Sequence, residues 1–148
     1  MTHHLILRVV AKLLIPYILL FGLYVQFHGD FGPGGGFQAG VIFASAFVLY
    51  ALIYGVERAR QVVSDEVLRV GIGLGVLLYA GTGVVSLLLG ANYLDYSPLA
   101  HDAPHGQHVG IFAVELGVGI TVSSVMATIF FQFAGRGSAG DADEEDWP

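Results

Sequence analysis

Cysteine is absent from this chain, so it can build no disulfide framework, thiolate metal site or cysteine nucleophile. Charge is scarce too: Asp, Glu, Lys and Arg make up 12% of 148 residues while 55% are hydrophobic, and the mean hydropathy is +0.70. That is too little charge to clothe a water-soluble globule, which places the chain in a bilayer. Lysine occurs once, at Lys12, and no basic cluster suited to nucleic acid is present. No nucleophile–base pair, paired catalytic carboxylates or cofactor motif is found, so an enzyme is not expected. No cofactor and no resident metal are expected either.

What the chain does have is long apolar runs. A helix needs about 20 apolar residues to cross a bilayer, so this length allows three or four crossings and no sizeable extramembrane domain. The expected fold is an all-α integral membrane protein with a transmembrane domain over residues 1–134, containing helices at about 5–27, 36–57, 66–90 and 108–133. Residues 135–148 carry five acids and almost no apolar side chains before Trp147, which predicts a disordered cytoplasmic tail. The first segment is too long for a signal-peptide core and lacks a clear small-x-small cleavage site, so it reads as a retained helix.

The whole sequence is organised around residues 27–40, FHGDFGPGGGFQAG, which join the first two segments. Pro33 followed by Gly34, Gly35 and Gly36 disfavours any regular interior element and leaves bare backbone groups where Phe37 opens a helix. The plain reading is a tight extramembrane turn. The functional reading brings that backbone against a neighbouring helix or an ion. A phosphate loop is excluded by the missing Lys-Ser/Thr and βαβ context. Further along, Gly40 with Ala44, and Gly71 with Gly75, are small-residue pairs that let helices approach closely in lipid. Ser64 followed by Asp65 and Glu66 reads as a helix N-cap with an acidic first turn.

The polar residues inside the apolar segments are the candidate functional groups. Lys12 either snorkels to the interface or pairs with a carboxylate on a partner chain, and Pro16 predicts a kink one turn later. Glu115 is the one charged residue of the last segment; near a helix centre a carboxylate costs about 2.5–3.5 kcal/mol, so it should face a partner, a hydrated cavity or the interior of a complex. Helical spacing puts His108, Phe112, Glu115, Gly119 and Val122 on one stripe, with the histidine about 10 Å from the glutamate along the axis. Two roles stay open for Glu115, a station for protons or cations and a hydrogen-bonded residue that fixes helix packing. His28 and Asp30 flank the glycine turn as further candidates. His101, Asp102, His105 and His108 fit no zinc spacing, and their prolines and glycine are expected to break the local helix into a pH-sensitive surface loop.

The basic residues set an orientation. Arg8, Lys12, Arg58, Arg60, Arg69 and Arg136 fall near the termini or the second connection, while the first and third connections have none. This positive-inside pattern predicts cytoplasmic termini, with the glycine turn and the histidine loop outside.

With GDFGPGGGFQAGVIFA in the first turn and HVGIFAVELGVGITV in the last helix, the chain resembles the B subunit of Mrp-type multisubunit cation/proton antiporters over nearly its whole length. The resemblance implies a small subunit of a large bacterial cell-membrane assembly, related in part to respiratory complex I, that exchanges Na+ for H+. Its partners would be other membrane subunits and the lipid bilayer. His28-Gly29-Asp30-Phe31-Gly32 departs from the shorter histidine/asparagine version expected before the proline. The alternative is a purely structural assembly subunit of an antiporter-like or respiratory-type complex.

Overall fold

A computed structural model describes the backbone of residues 3–29 and 32–144, with side chains described over residues 5–29 and 32–135. Asp30 lies outside the described residues. Among those described, the elements are all helical: α1 (His3–His28), α2 (Gly36–Tyr54), α3 (Val56–Val62), α4 (Asp65–Leu88), a short 3-10 turn (Ser97–Leu99) and α5 (Ala103–Glu144). Four segments are long and apolar enough to cross a membrane: Leu5–His28, Gly36–Tyr54, Asp65–Leu88 and Ala103–Gly135.

The four long helices form a row rather than a closed bundle. α1 packs on α2, α2 on α5, and α5 on α4. α5 is therefore the central element, and its sequence carries a separate contact face for each neighbour. Gly117 and Gly119 are two residues apart, about 200° around a helix, so they point to opposite sides. On one side Gly40 of α2 closes on α5: a Cβ there would stand 2.8 Å from both the Gly119 carbonyl oxygen and Val122. On the other, a Cβ at Gly75 of α4 would stand 2.6 Å from the Gly117 carbonyl oxygen, and Gly71 meets Ser124. The expected small-residue contacts at Gly40, Gly71 and Gly75 are thus present, as helix seams. Most of the buried apolar residues are correspondingly alanines, among them Ala39, Ala44, Ala46, Ala51 and Ala127. In lipid there is no hydrophobic drive between helices, so close van der Waals approach at small residues supplies the packing.

Three boundaries differ from the sequence expectations. The second helix, expected to reach residue 57, ends at Tyr54, because Gly55 adopts φ 96° and the chain restarts as α3. Arg60 then ties α3 to its surroundings, donating to the Phe131 carbonyl at 3.1 Å and pairing with Asp65 at 3.5 Å. The last helix begins at Ala103 rather than near residue 108. Pro104 sits in the first turn, where its missing N–H has no intrahelical partner to lose, and the Gly106 N–H closes that turn on the Asp102 carbonyl at 2.9 Å. The proline and glycine thus start this helix instead of breaking it. Finally, the backbone of residues 135–144 continues α5 as helix where composition predicts disorder. Extending a helix already nucleated adds a hydrogen bond per residue without a new nucleation cost. Residues 145–148 of the expected tail lie outside the described residues.

Ser64 caps α4 as expected, its Oγ accepting the Val67 N–H at 3.3 Å. The chain between α4 and α5 is strapped down by aromatics. Tyr93 lies over Gly83 of α4 and Tyr96 over Gly110 of α5, while the Gln107 amide donates to Ser97 Oγ at 3.1 Å. Desolvation pushes the Tyr96 phenol above its ordinary value, with Tyr79 and Tyr93 adding to the shift. This contribution to stability is fully present below the ordinary tyrosine value and is lost as pH rises from there through the raised one.

Candidate functional site: the Glu115 cradle

The glycine turn and Glu115, far apart in sequence, meet at the junction of α1, α2 and α5. A Cβ on Gly29 would lie 2.8 Å from Glu115 Oε2, and one on Gly35 would lie 3.2 Å from Oε1. The carboxylate therefore occupies space that side chains at those positions would fill. Gly36 continues the cradle against the backbone: its Cβ would overlap the Glu115 carbonyl oxygen and stand 2.7 Å from the carbonyl carbon. Gly34 contributes by crossing close to α1, where a Cβ would come within 2.7 Å of the Val25 carbonyl oxygen. The neighbouring Gly35 N–H donates to that same oxygen at 3.3 Å. Gly35 itself has φ 126°, a conformation that L side chains rarely adopt.

This arrangement gives the carboxylate an electrostatic setting. Gly35 is the N-cap of α2 and offers no side-chain acceptor of its own. Glu115 thus brings an acidic group from another helix to the positive end of the α2 dipole, where an anion is favoured. The site lies toward one end of the helix row. It is level with the α1–α2 turn, about 30 Å from Gly135 along the α5 axis, and α5 projects about 18 Å beyond it toward Ala103.

The predicted stripe on α5 is reproduced in part. Glu115, Gly119 and Val122 face the α1–α2 side, and Phe112 stacks on Phe27 of α1 with centroids 5.7 Å apart. His108 is exposed, near the start of α5 and outside the cradle. His28 stacks on Tyr24 at 5.0 Å, and its Nε2 would lie 3.1 Å from a Cβ on Gly32. Lys12 is not part of the site: it lines a cleft with Ile15, Pro16, Tyr50 and Tyr54, about 20 Å along α1 from Gln26. Pro33 and Phe37 point outward, with Phe37 63% exposed, so it is the backbone of the turn and not its bulky side chains that meets α5. Among the described residues, no group of three His, Cys, Asp or Glu could hold a metal.

Sequence reasoning missed Gln26. This amide sits one turn farther along α5 than the carboxylate, its Oε1 only 2.6 Å from where a Cβ on Gly119 would be. The signal was available, because Gln26 is the one amide in the apolar run of α1 and the rule applied to Glu115 covers it equally.

Residues 6–128 match a family described as a domain related to the MnhB subunit of Na+/H+ antiporter. A protein of Staphylococcus aureus strain MRSA252 named "Putative antiporter subunit mnhB2" is 32% identical over 133 residues, covering 88% of this chain and 94% of the relative. Its counterpart in strain Newman is 34% identical over the same length, with the same coverage. The chain belongs to the family of domains related to the MnhB subunit of Na+/H+ antiporters.

Proposed function

We propose that this chain is a membrane subunit of a multisubunit Na+/H+ antiporter, and that Glu115 in its glycine cradle borders the cation/proton path of the complex. The observation that carries the second part is the placement of the carboxylate: a titratable group on the central helix, held against bare backbone at the helix N-terminus of a glycine turn. A residue serving only to fix packing has no need of that geometry, since the Gly36–Glu115 backbone contact already seals the seam.

The subunit does not exchange ions alone. It offers one acid within its spans beyond their ends, and many large apolar side chains along α1 and α4 stay exposed for partners or lipid. Membrane vesicles containing the whole complex should show Na+-driven proton movement that is lost when this subunit is deleted and is absent with this subunit alone. Exchange by the isolated chain above an empty-vesicle control would refute the proposal.

The distribution of Arg and Lys supports cytoplasmic termini in a bacterial cell membrane, with the cradle opening toward the outer side. A reporter active only in the periplasm should be silent when fused after Pro148 and active after Ala103. The reverse pattern would invert the assignment.

A further inference from the structure

Lys12 stands apart from the Glu115 cradle, and its depth in the membrane follows from the packing of α1 on α2. α2 has 19 residues, about 28 Å of helix, which matches a hydrocarbon core of about 30 Å and puts its two ends at the two edges. Gly55 marks one edge. There the chain breaks at φ 96°, and Glu57, Arg58 and Arg60 follow in α3. The Tyr54 hydroxyl donates to the Arg8 carbonyl at 2.9 Å, which fixes Arg8 at that same edge. Tyr50 and Tyr54, with ring centroids 4.7 Å apart, form an interfacial aromatic pair beside it. Lys12 lies one turn deeper, about 6 Å, and its four-carbon stem is long enough to return the ammonium to the level of Arg8. Both side chains are exposed, share one face of α1, and take part in no ion pair among the described residues. Like charges at this spacing repel unless an anion lies between them. Next to them is an open cleft of about 300 Å³, lined by Lys12, Ile15, Pro16, Tyr50 and Tyr54.

We propose that Arg8 and Lys12 hold the phosphate of an anionic phospholipid from the leaflet at the Gly55 end, with one of its acyl chains in the α1–α2 cleft against Pro16 and Tyr50. Charge complementarity selects an anion, and depth selects its source. A lipid phosphate already lies at the membrane edge, where lysine and arginine attract anionic lipid. A carboxylate on a partner helix would have to be desolvated beside the hydrocarbon, and one turn of a helix about 10 Å across is larger than the cleft. The two cations then share one anion through charge-assisted hydrogen bonds, and the acyl chain covers the apolar wall that the protein leaves open.

The test uses the intact complex, reconstituted in discs of phosphatidylcholine mixed with phosphatidylglycerol. A density map of the wild-type complex should show a phosphate within hydrogen-bonding distance of Lys12 Nζ and the Arg8 guanidinium, with an acyl chain beside Pro16. Native mass spectrometry during titration with phosphatidylglycerol should find one site whose affinity falls about fivefold in Lys12→Met, and about fivefold again when Arg8→Gln is added, the range of one surface cation each. Arg58→Gln removes an exposed cation at the same end but outside the cleft, and should leave that site unchanged. An equal loss in Arg58→Gln overturns the proposal, because the preference then belongs to the surface charge as a whole. So does a site that takes phosphatidylcholine as tightly, or one that neither Lys12→Met nor Arg8→Gln weakens. A map with a partner subunit's carboxylate against Lys12, or with no phosphate there, overturns it as well. If the variants fail to assemble, the wild-type map decides.

Discussion

Alanine at Gly36 should abolish incorporation of the subunit into its complex, lowering assembled complex at least tenfold, or ~1.4 kcal/mol. The added methyl would overlap the Glu115 carbonyl oxygen and come within 3.0 Å of the Glu115 Cα. These are backbone atoms of a helix and cannot rotate away, so the seam between α2 and α5 has to open. Overpacking of this kind costs about 1–3 kcal/mol or more, and the opening would also separate Gly40 from Gly119. Gly73→Ala is the internal control, because nothing lies within 4 Å of a Cβ there. Gly73 lies inside α4 and gains roughly 1 kcal/mol of helix propensity, whereas Gly36 is the first residue of α2 and gains less, so the control is read against its own parent for the contact alone. Native electrophoresis of solubilised membranes should find Gly73→Ala at wild-type levels. Equal assembly of the two variants would mean that α2 and α5 do not approach as described.

The second large effect is on transport. In Glu115→Gln the complex should assemble, since the amide matches the carboxylate in shape and fits the same glycine cradle. Exchange per complex should nevertheless fall about tenfold or more, equivalent to ~1.4 kcal/mol on the limiting step, because an amide carries no proton and balances no cation. Everted vesicles loaded with a proton-sensitive dye, normalised to assembled complex, give the measurement. The charge at the N-terminus of α2 is lost as well, which removes a favourable contribution of about 0.3–1 kcal/mol and sets the size of assembly defect to expect. Exchange, pH profile and cation affinity all at wild-type values in a fully assembled Gln variant would make Glu115 structural. The subunit would then serve assembly alone.

Much of this molecule could be read before any coordinates. The scarcity of charge and the spacing of apolar runs dictated a bilayer and four crossings, since uncompensated polar surface is what lipid excludes. Ser64, Asp65 and Glu66 marked the start of α4 through local backbone chemistry, and that start is observed. Glu115 stood out because a single acid in an apolar helix is costly wherever it lies. The misjudged boundaries were local contests settled by nonlocal contacts. Residues 103–107 look like a helix-breaking loop in isolation, yet Tyr96 and Ser97 pack onto Gly110 and Gly106 and hold that stretch in α5.

The sequence by itself therefore determined the solvent, the number of crossings and the residue types able to titrate. Only the tertiary structure decided that the glycine turn meets Glu115, that Gln26 lies one turn along from the carboxylate, and that Lys12 lies apart from both. The physical reason is the nature of glycine. A missing Cβ marks a position where something approaches closely, but it carries no information about what approaches. The same reading applies to Gly36, which meets the Glu115 backbone, and to Gly73, which meets nothing within the chain. The row of helices, with α5 presenting Gly119 to one neighbour and Gly117 to the other, supplies that missing half.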